Sequence, residues 1–391
     1  MEHYIFYCKL SLLAVLSLIT ACCMLSRRWY VNLAAFLACL SGETFLAHLF
    51  FPGYMLCPAA ASFIILFLSR IWDLSRTPAK GNGADPIRLP VRSGIRESRL
   101  EFHYHYSNFL VYGGAGSGKT KSIGKWLLSE YMRLGFAGFI YDFKDTDYTR
   151  TAYNLIKRHR YPHKFYYVSF DRPERSYRFN PLKVVRDRTE LIQLMEDVLL
   201  ALLPKKEQQN EWVAGGLGIL RGVAFRFWDE FPEHCTLPHI LAFIMTASAR
   251  QLSLFLQQNL VSEMLAGAYL KAEGSEKTQA SYLSTLCNNL ATISQNEEIA
   301  YVLSGDDFDF NLIDPENPKL FAVSNNFSKN SVYAPVISML MTISARQFSM
   351  QNRVPFVYFL DEMTTVNIKN FETLPSVLRE YKAAFILLTQ S

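Results

Sequence analysis

The segment Gly113-Gly114-Ala115-Gly116-Ser117-Gly118-Lys119-Thr120 matches the G-x-x-x-x-G-K-T pattern of a phosphate-binding loop at every fixed position. An apolar run of strand-forming residues precedes it at 108–112, and apolar residues at helical spacing follow it at 122–134. The loop is therefore predicted to join a strand to a helix, which is the context in which this pattern binds a nucleotide.

The residue types explain how such a loop holds phosphate. Glycines let backbone N–H groups close around the phosphates, and the helix N-terminus adds partial positive charge. Lys119 is predicted to reach the β- and γ-phosphates of ATP, and Thr120 to bind Mg²⁺. The predicted nucleotide-binding residues are Gly113, Gly114, Ala115, Gly116, Ser117, Gly118, Lys119 and Thr120. The alternative is a glycine-rich turn that binds nothing, which the complete pattern disfavours.

The composition of the 391-residue chain allows two or three domains. Its 50% hydrophobic and 19% charged content is more apolar than is typical of soluble proteins, which indicates a membrane-embedded part. The net charge of +5 is too small to identify a nucleic-acid binder, so any basic surface must be local. The seven cysteines form no C-x-x-C pair and have no histidine at metal-binding spacing, so neither disulfides nor zinc is predicted.

Residues 1–76 are predicted to form a transmembrane anchor of two or three helices. Three apolar runs are candidates for spans, at 4–25, 31–51 and 54–71. Three spans place the arginines at 27–28 and those at 70 and 76 in the cytoplasm, with the N-terminus outside. The alternative is a cleaved lipoprotein signal ending at Cys22, but the charged n-region is missing and further apolar runs follow.

The start of the globular part follows from composition and spacing. Residues 73–96 are polar and rich in proline and glycine, which predicts a linker. The alternation at 101–106 predicts a strand, and a buried strand is predicted at 137–141. That strand ends in Asp142 and Lys144, which either border the nucleotide crevice or a neighbouring subunit, or form a solvated turn.

The pattern changes to apolar stripes at helical spacing over residues 188–305, which predicts an all-helical insert. The clearest stripes lie at 212–231, 237–245, 251–269 and 279–293. Basic side chains scattered along it are interpreted as a solvated face rather than a DNA-binding surface. Strand character returns at 319–325, followed by a predicted helix at 333–350, so the α/β core resumes after the insert.

Two carboxylates follow the apolar run 356–360, the form of a Walker-B strand. Asp361 is predicted to hold the Mg²⁺ shell, and Glu362 to orient and deprotonate the attacking water. A last buried strand at 383–389 ends in Gln390, which is expected at the same sheet edge beside Glu362. Arg379 precedes Gln390 by eleven positions.

These features, in this order behind apolar helices, resemble the conjugative coupling proteins of type IV secretion systems, of the TraG and TraD type. The resemblance runs from about residue 77 to the end. Beside the phosphate loop and the insert, it rests on Tyr141-Asp142-Phe143-Lys144, Asn180-Pro181-Leu182, Leu360-Asp361-Glu362 and Gln390-Ser391.

The resemblance implies an α/β fold with a RecA-like P-loop NTPase core and an all-helical insert, preceded by N-terminal transmembrane helices. The implied parts are an anchor at 1–76, a core at 77–187 and 306–391, and an insert at 188–305. It implies a hexameric ATPase at the bacterial inner membrane, with its motor in the cytoplasm. Such proteins pass single-stranded DNA with its relaxase to the secretion channel.

The resemblance also implies roles for two residues outside the loop. Arg379 is expected to reach the ATP of a neighbouring subunit, and Gln390 to sense the γ-phosphate. Two departures stand out. The usual D-P-K-G-E is replaced by Asp142-Phe143-Lys144-Asp145-Thr146, and the sequence stops at Ser391 before the family's last core strands, which predicts a C-terminally truncated product.

Three other functions remain open at this point. An FtsK/HerA-type translocase would pump duplex DNA, but lacks such a large helical insert. A second alternative is a membrane scaffold that binds ATP without hydrolysing it, which would have no use for a catalytic Glu362, or an inactive fragment, which the early stop at Ser391 leaves open. Export of a protein cargo rather than DNA would use the same motor.

Overall fold

The computed structural model describes residues 85–93, 96–114, 116–144, 146–203, 205–368 and 370–390. Six strands form one sheet, and two more form a separate hairpin. The hairpin strands are β1 (Ile87–Ser93) and β2 (Arg96–Phe102). The sheet strands are β3 (Phe109–Tyr112), β4 (Ala137–Asp142), β5 (Lys164–Ser169), β6 (Lys319–Ser324), β7 (Phe356–Leu360) and β8 (Ala383–Thr389).

The sheet has the strand order β3-β8-β7-β4-β6-β5, and every neighbouring pair is parallel. Every residue of β4, β6 and β7 is buried, as expected for a parallel sheet covered on both faces. Because all six strands run the same way, their carboxyl ends meet at one edge. Along that edge the end of β8 lies between the phosphate loop after β3 and the carboxylates after β7.

Helices connect and cover the strands. The core helices are α1 (Lys125–Arg133), α2 (Asp147–His159), α11 (Asn330–Arg346) and α12 (Leu374–Glu380), and a π-helical turn, Lys119–Gly124, leads into α1. Eight helices lie between β5 and β6: α3 (Arg188–Ala201), α4 (Glu211–Glu230), α5 (Leu237–Thr246), α6 (Ala249–Gln257), α7 (Leu260–Leu265), α8 (Gly267–Lys271), α9 (Glu276–Ser294) and α10 (Glu297–Leu303).

Two apolar cores form because successive side chains of a strand point to opposite faces of the sheet. On one face Phe139 and Tyr141 of β4 join a core that continues into α11 and the helices between β5 and β6. On the other face Ile140 packs in a core with residues of α1 and α2. Ile87 of β1 also belongs to this second core and is completely buried, so the hairpin packs against the α/β unit.

Two expectations about local structure were wrong. Residues 87–93 were predicted as part of a linker but form strand β1, which gains a complete antiparallel ladder with β2. Strand β2 ends at Phe102, so the predicted strand over 101–106 is largely absent. The stripe at 251–269 is helical as predicted and is divided among three helices; the second begins where the Asn259 side chain accepts from the N–H groups of Val261 and Ser262.

No helix in the described part of the chain is long and apolar enough to cross a membrane. The predicted anchor at 1–76 lies outside the described residues and stays a prediction. The domain boundaries at 187 and 305 also stay predictions. The apolar core runs without interruption from the sheet into α3.

Gly138 on β4 offers a test of how closely the strands and their side chains pack. A Cβ at this position would lie 2.9 Å from the Val357 carbonyl oxygen of β7 and 3.1 Å from Leu320 on β6. Gly138→Ala is therefore expected to lower the free energy of unfolding by about 1–3 kcal/mol, because backbone cannot move aside cheaply. Gly267→Ala is the control, since a Cβ at the start of α8 would meet nothing within 4 Å. Equal stability of the two variants in urea denaturation would contradict the packing of β4 against β7.

Candidate nucleotide-binding and catalytic site

The phosphate loop follows β3 and is tied to β8, because the Gly113 N–H donates to the Thr389 carbonyl oxygen at 3.3 Å. Gly116 and Gly118 adopt φ values of 73° and 85°, a left-handed backbone that favours glycine. A Cβ on Gly114 or Gly116 would meet no protein atom within 4 Å, so the loop keeps open space where phosphates fit. Ala115 lies outside the described residues.

The end of the loop places its two functional side chains differently. Lys119 is buried, and its ammonium donates to the Gly113 carbonyl oxygen across the loop. Thr120 lies against the hydroxyl of Tyr148 on α2. Burial raises the pKa of Tyr148, and the Thr120 side chain partly offsets that effect. Ser117 stays exposed at the rim of the loop, with its N–H donating to the Gly114 carbonyl oxygen at 3.2 Å.

Two buried carboxylates lie at the ends of β4 and β7, with oxygen atoms that have no hydrogen-bond partner. Asp142 Oδ2 accepts from the Thr149 N–H at 2.8 Å and its hydroxyl at 2.9 Å, but Asp142 Oδ1 has no partner. Asp361 Oδ2 also has none. Burial raises the pKa of Asp361 to about 7; the positive charge of Lys144 opposes this effect, and the carboxylates of Asp142 and Glu362 add to it. A buried carboxylate oxygen without a hydrogen-bond partner fits a hard cation such as Mg²⁺.

Glu362 is held in an unusual backbone conformation, with φ 48° and ψ 55°. A non-glycine residue in the left-handed region is strained, and such strain persists only where neighbours enforce it. Thr365 does so here, because its N–H and its hydroxyl donate to the Glu362 carbonyl oxygen at 2.9 and 2.7 Å.

A chain of hydrogen bonds behind Thr365 fixes its orientation. Since the Thr365 hydroxyl proton goes to Glu362, Tyr141 must donate to Thr365 Oγ1, at 2.6 Å. The Tyr141 oxygen accepts from Asn325 Nδ2 at 2.9 Å, and the same amide donates to Asn330 at 2.7 Å. Residues at the ends of β4 and β6 therefore position the backbone of Glu362, the second residue after β7.

The Glu362 side chain meets two polar groups. Its Oε1 accepts from the Gln390 side-chain amide, and it lies 3.4 Å from the Lys144 ammonium. Glu362 is 5% exposed, so its carboxylate is shielded from water where it meets Gln390 and Lys144. The structure thus brings together Glu362 and Gln390, as expected from the sequence, and adds Lys144.

Arg379 is placed apart from this group. It lies in the last turn of α12 with an exposed side chain, while its neighbour Leu378 is buried. Within the described part of the chain its guanidinium makes no hydrogen bond or ion pair. No contact joins it to Lys119, Glu362 or Gln390 of the same chain.

Sequence reasoning missed most residues that support Glu362. The sequence left open whether Lys144 borders the nucleotide crevice or a neighbouring subunit, or lies in a solvated turn, and its contact with Glu362 was not predicted. Tyr141 was named only as part of the motif that carries the resemblance, and Asn325 and Thr365 were not identified at all. The available signal was position, since Tyr141 and Asn325 stand at or beside the carboxyl ends of β4 and β6.

The parallel sheet, the glycine loop and the paired carboxylates define an α/β protein with a P-loop nucleotide-binding core. The chain belongs to the type IV secretory system conjugative DNA transfer family, whose model matches residues 92–391. A comparison with curated proteins finds no match.

Solved structures of a bacterial conjugative coupling protein, TrwB, share the fold. The unbound monoclinic form of TrwBdeltaN70 aligns with a TM-score of 0.59 and 16% identity, covering 83% of this chain and 68% of that one. TrwB in complex with ADP and Mg²⁺ aligns with a TM-score of 0.56 and 16% identity, covering 73% and 63%. The sulphate complex of TrwBdeltaN70 gives the same coverage, so in these two alignments this chain spans less than two thirds of the coupling protein's chain.

The raised pKa of Asp361 predicts how stability depends on pH. The pKa of Asp361 in the folded protein, about 7, lies above its pKa in the unfolded chain. The protonated Asp361 side chain therefore favours the folded state at acid pH, and this contribution to stability is lost as the pH rises toward and through 7. In nucleotide-free protein with EDTA, Asp361→Asn is therefore expected to raise the melting temperature at pH 8 and to change it less at pH 5. Glu316→Gln, which alters an exposed carboxylate, is the control. The same difference from wild type at both pH values would contradict the assignment.

Proposed function

We propose that this protein is a membrane-anchored, ATP-driven motor that couples relaxase-bound single-stranded DNA, or a protein substrate, to a type IV secretion channel during conjugation. The observation that supports it best is the contact of Glu362 with Gln390 and Lys144, at the sheet edge that carries the phosphate loop. A buried carboxylate held by a neighbouring strand's amide is suited to orienting water at a γ-phosphate. Membership of the conjugative DNA transfer family supports the cargo.

The proposed mechanism assigns each group a separate task. Lys119 and the N–H groups of the loop, Gly113 to Thr120, hold the β- and γ-phosphates of ATP, and Thr120 and Asp361 bind Mg²⁺. When bound there, Mg²⁺ would neutralise charge that develops on the phosphoryl oxygens. Glu362 accepts a proton from the attacking water, and Gln390 reports the γ-phosphate through its hydrogen bond to Glu362. Complexes of TrwB with ADP and Mg²⁺ and with ADPNP support these ligands.

The proposed assembly is a hexameric ring at the bacterial inner membrane. Residues 1–76 would anchor it, with the parts at 77–187, 188–305 and 306–391 in the cytoplasm. The exposed position of Arg379 supports a ring, since an arginine that serves its own subunit's nucleotide would face its own site. In a ring, it would reach the γ-phosphate bound by a neighbour.

Glu362→Gln tests the catalytic base. The amide fills the same space but cannot accept a proton, so turnover is expected to fall by about 10²–10⁴-fold while ATP binding remains. Fluorescence of a labelled ATP analogue measures binding, and phosphate release measures turnover. Glu233→Gln, at an exposed site between α4 and α5, should match wild type. Loss of binding with an unchanged rate per bound nucleotide would exclude a catalytic role.

Mixing two inactive variants tests whether Arg379 acts between subunits. Lys119→Ala removes the phosphate-binding ammonium, and Arg379→Ala removes a group that typically contributes ~10³–10⁵ in rate when it acts as an arginine finger. In mixed rings, an intact loop from one variant meets an intact Arg379 from the other, so ATPase activity should reappear. Arg353→Ala, at another exposed arginine, is expected to retain activity alone. If mixed oligomers form without any activity, Arg379 does not act in a neighbour's site.

A further inference from the structure

Phe327 is an aromatic side chain that the fold leaves in solvent. Its ring is 80% exposed, and no other aromatic residue in the described segments is as exposed. It lies in a short 3₁₀ turn, Phe327–Lys329, just after β6, at the sheet edge that carries Glu362. Among the described residues its one aromatic contact is an edge-to-face packing on the half-buried Phe143, with ring centroids 6.3 Å apart. Core packing therefore does not account for it.

The turn that carries Phe327 is firmly held. The Asn325 N–H donates to the Asp142 carbonyl oxygen at 2.9 Å, and Asn326 caps the turn by accepting from the Ser328 N–H at 2.9 Å. Asn326 and Lys329 both bind Asp171 at the end of β5, at 3.1 and 2.8 Å. The exposed ring is thus presented in a fixed orientation, which lowers the entropy cost of binding a flat ligand.

The surroundings of the ring are polar and basic rather than apolar. Lys144 follows Phe143 in the chain, and Lys329 lies two residues beyond Phe327; both ammonium-bearing side chains are 45% exposed. The acidic groups facing them are Asp171, Glu362 and Asp361. Proteins that bind single-stranded nucleic acid stack unpaired bases on aromatic side chains and place basic side chains along the phosphate backbone. The aromatic pair here, flanked by ammonium and amide groups, has this composition.

We propose that Phe143 and Phe327 form a stacking site for an unpaired base of single-stranded nucleic acid, with Lys144 and Lys329 beside its phosphates. This rests on the proposed function for its cargo, but not on ATP hydrolysis. A second copy of this chain is the other candidate occupant. A subunit interface would bury a broad apolar centre, whereas the residues next to Phe327 are Asn326, Ser328 and Lys329.

The aromatic pair is next in the chain to a lysine that contacts the proposed catalytic base, Glu362. Phe143 and Lys144 are consecutive, and the Lys144 ammonium lies 3.4 Å from Glu362 Oε1. A phosphate that attracts Lys144 competes with Glu362 for the same positive charge. Binding of a strand at the aromatic pair would therefore loosen one of the two contacts that hold the Glu362 carboxylate.

Phe327→Ala tests the site. Full-length protein in detergent is titrated against fluorescein-labelled poly(dT) without nucleotide, and anisotropy gives the Kd. Loss of one stacking contact is expected to weaken binding about five- to 150-fold. Phe327→Tyr keeps a ring and should restore most of the affinity. Tyr153→Ala removes another exposed ring, on α2, and should bind like wild type. Melting temperatures of all variants show whether they fold.

The outcomes separate this site from the proposed function. If Phe327→Ala binds poly(dT) like wild type, the stacking site is wrong, whatever the ATPase does. If Phe327→Ala instead lowers the oligomeric state in sedimentation without changing the Kd, the ring belongs to a subunit interface. If wild type binds poly(dT) through Phe327 but hydrolyses no ATP, the stacking site stands and the motor function fails.

Discussion

The position of β8 between β3 and β7 is the constraint on which the candidate site depends. Strand β3 pairs only with β8 among the described strands, and β8 pairs on its other side with β7. At the end of this one strand, Thr389 accepts from Gly113 of the phosphate loop, and Gln390 donates to Glu362. A change in the ladder between β8 and either neighbour would therefore move the loop relative to the proposed base.

Several features of the candidate site oppose folding, and the burial of apolar side chains on both faces of the sheet offsets them. Asp142 and Asp361 each bury an oxygen without a partner, and Glu362 holds a left-handed backbone. Each of these opposes folding, because buried carboxylates lose hydration and strained dihedrals raise the energy of the folded state. The two cores on either face of the sheet supply the compensating burial. Proteins commonly keep such locally destabilising features where their activity requires them.

Two exposed side chains, Arg379 and Phe327, have no role that the isolated chain explains. Both are held on ordered elements, α12 and the turn after β6. They differ in chemistry: a free guanidinium suits a phosphoryl group, whereas a flat ring suits a base. Their exposed positions are consistent with the proposed ring and the proposed stacking site, since each of these roles needs a partner outside the chain.

The sequence by itself determined the local part of this protein. The loop from Gly113 to Thr120, the strands near Asp361 and Gln390, and the helical character of 188–305 were predicted because spacing and residue type are properties of neighbouring residues. The hairpin β1–β2 was missed, since its ladder comes from pairing rather than composition. Only the tertiary structure decided that Lys144, Tyr141, Asn325 and Thr365 converge on Glu362. These residues stand up to 224 positions apart, and they meet because parallel strands from distant parts of the chain end at one edge of the sheet.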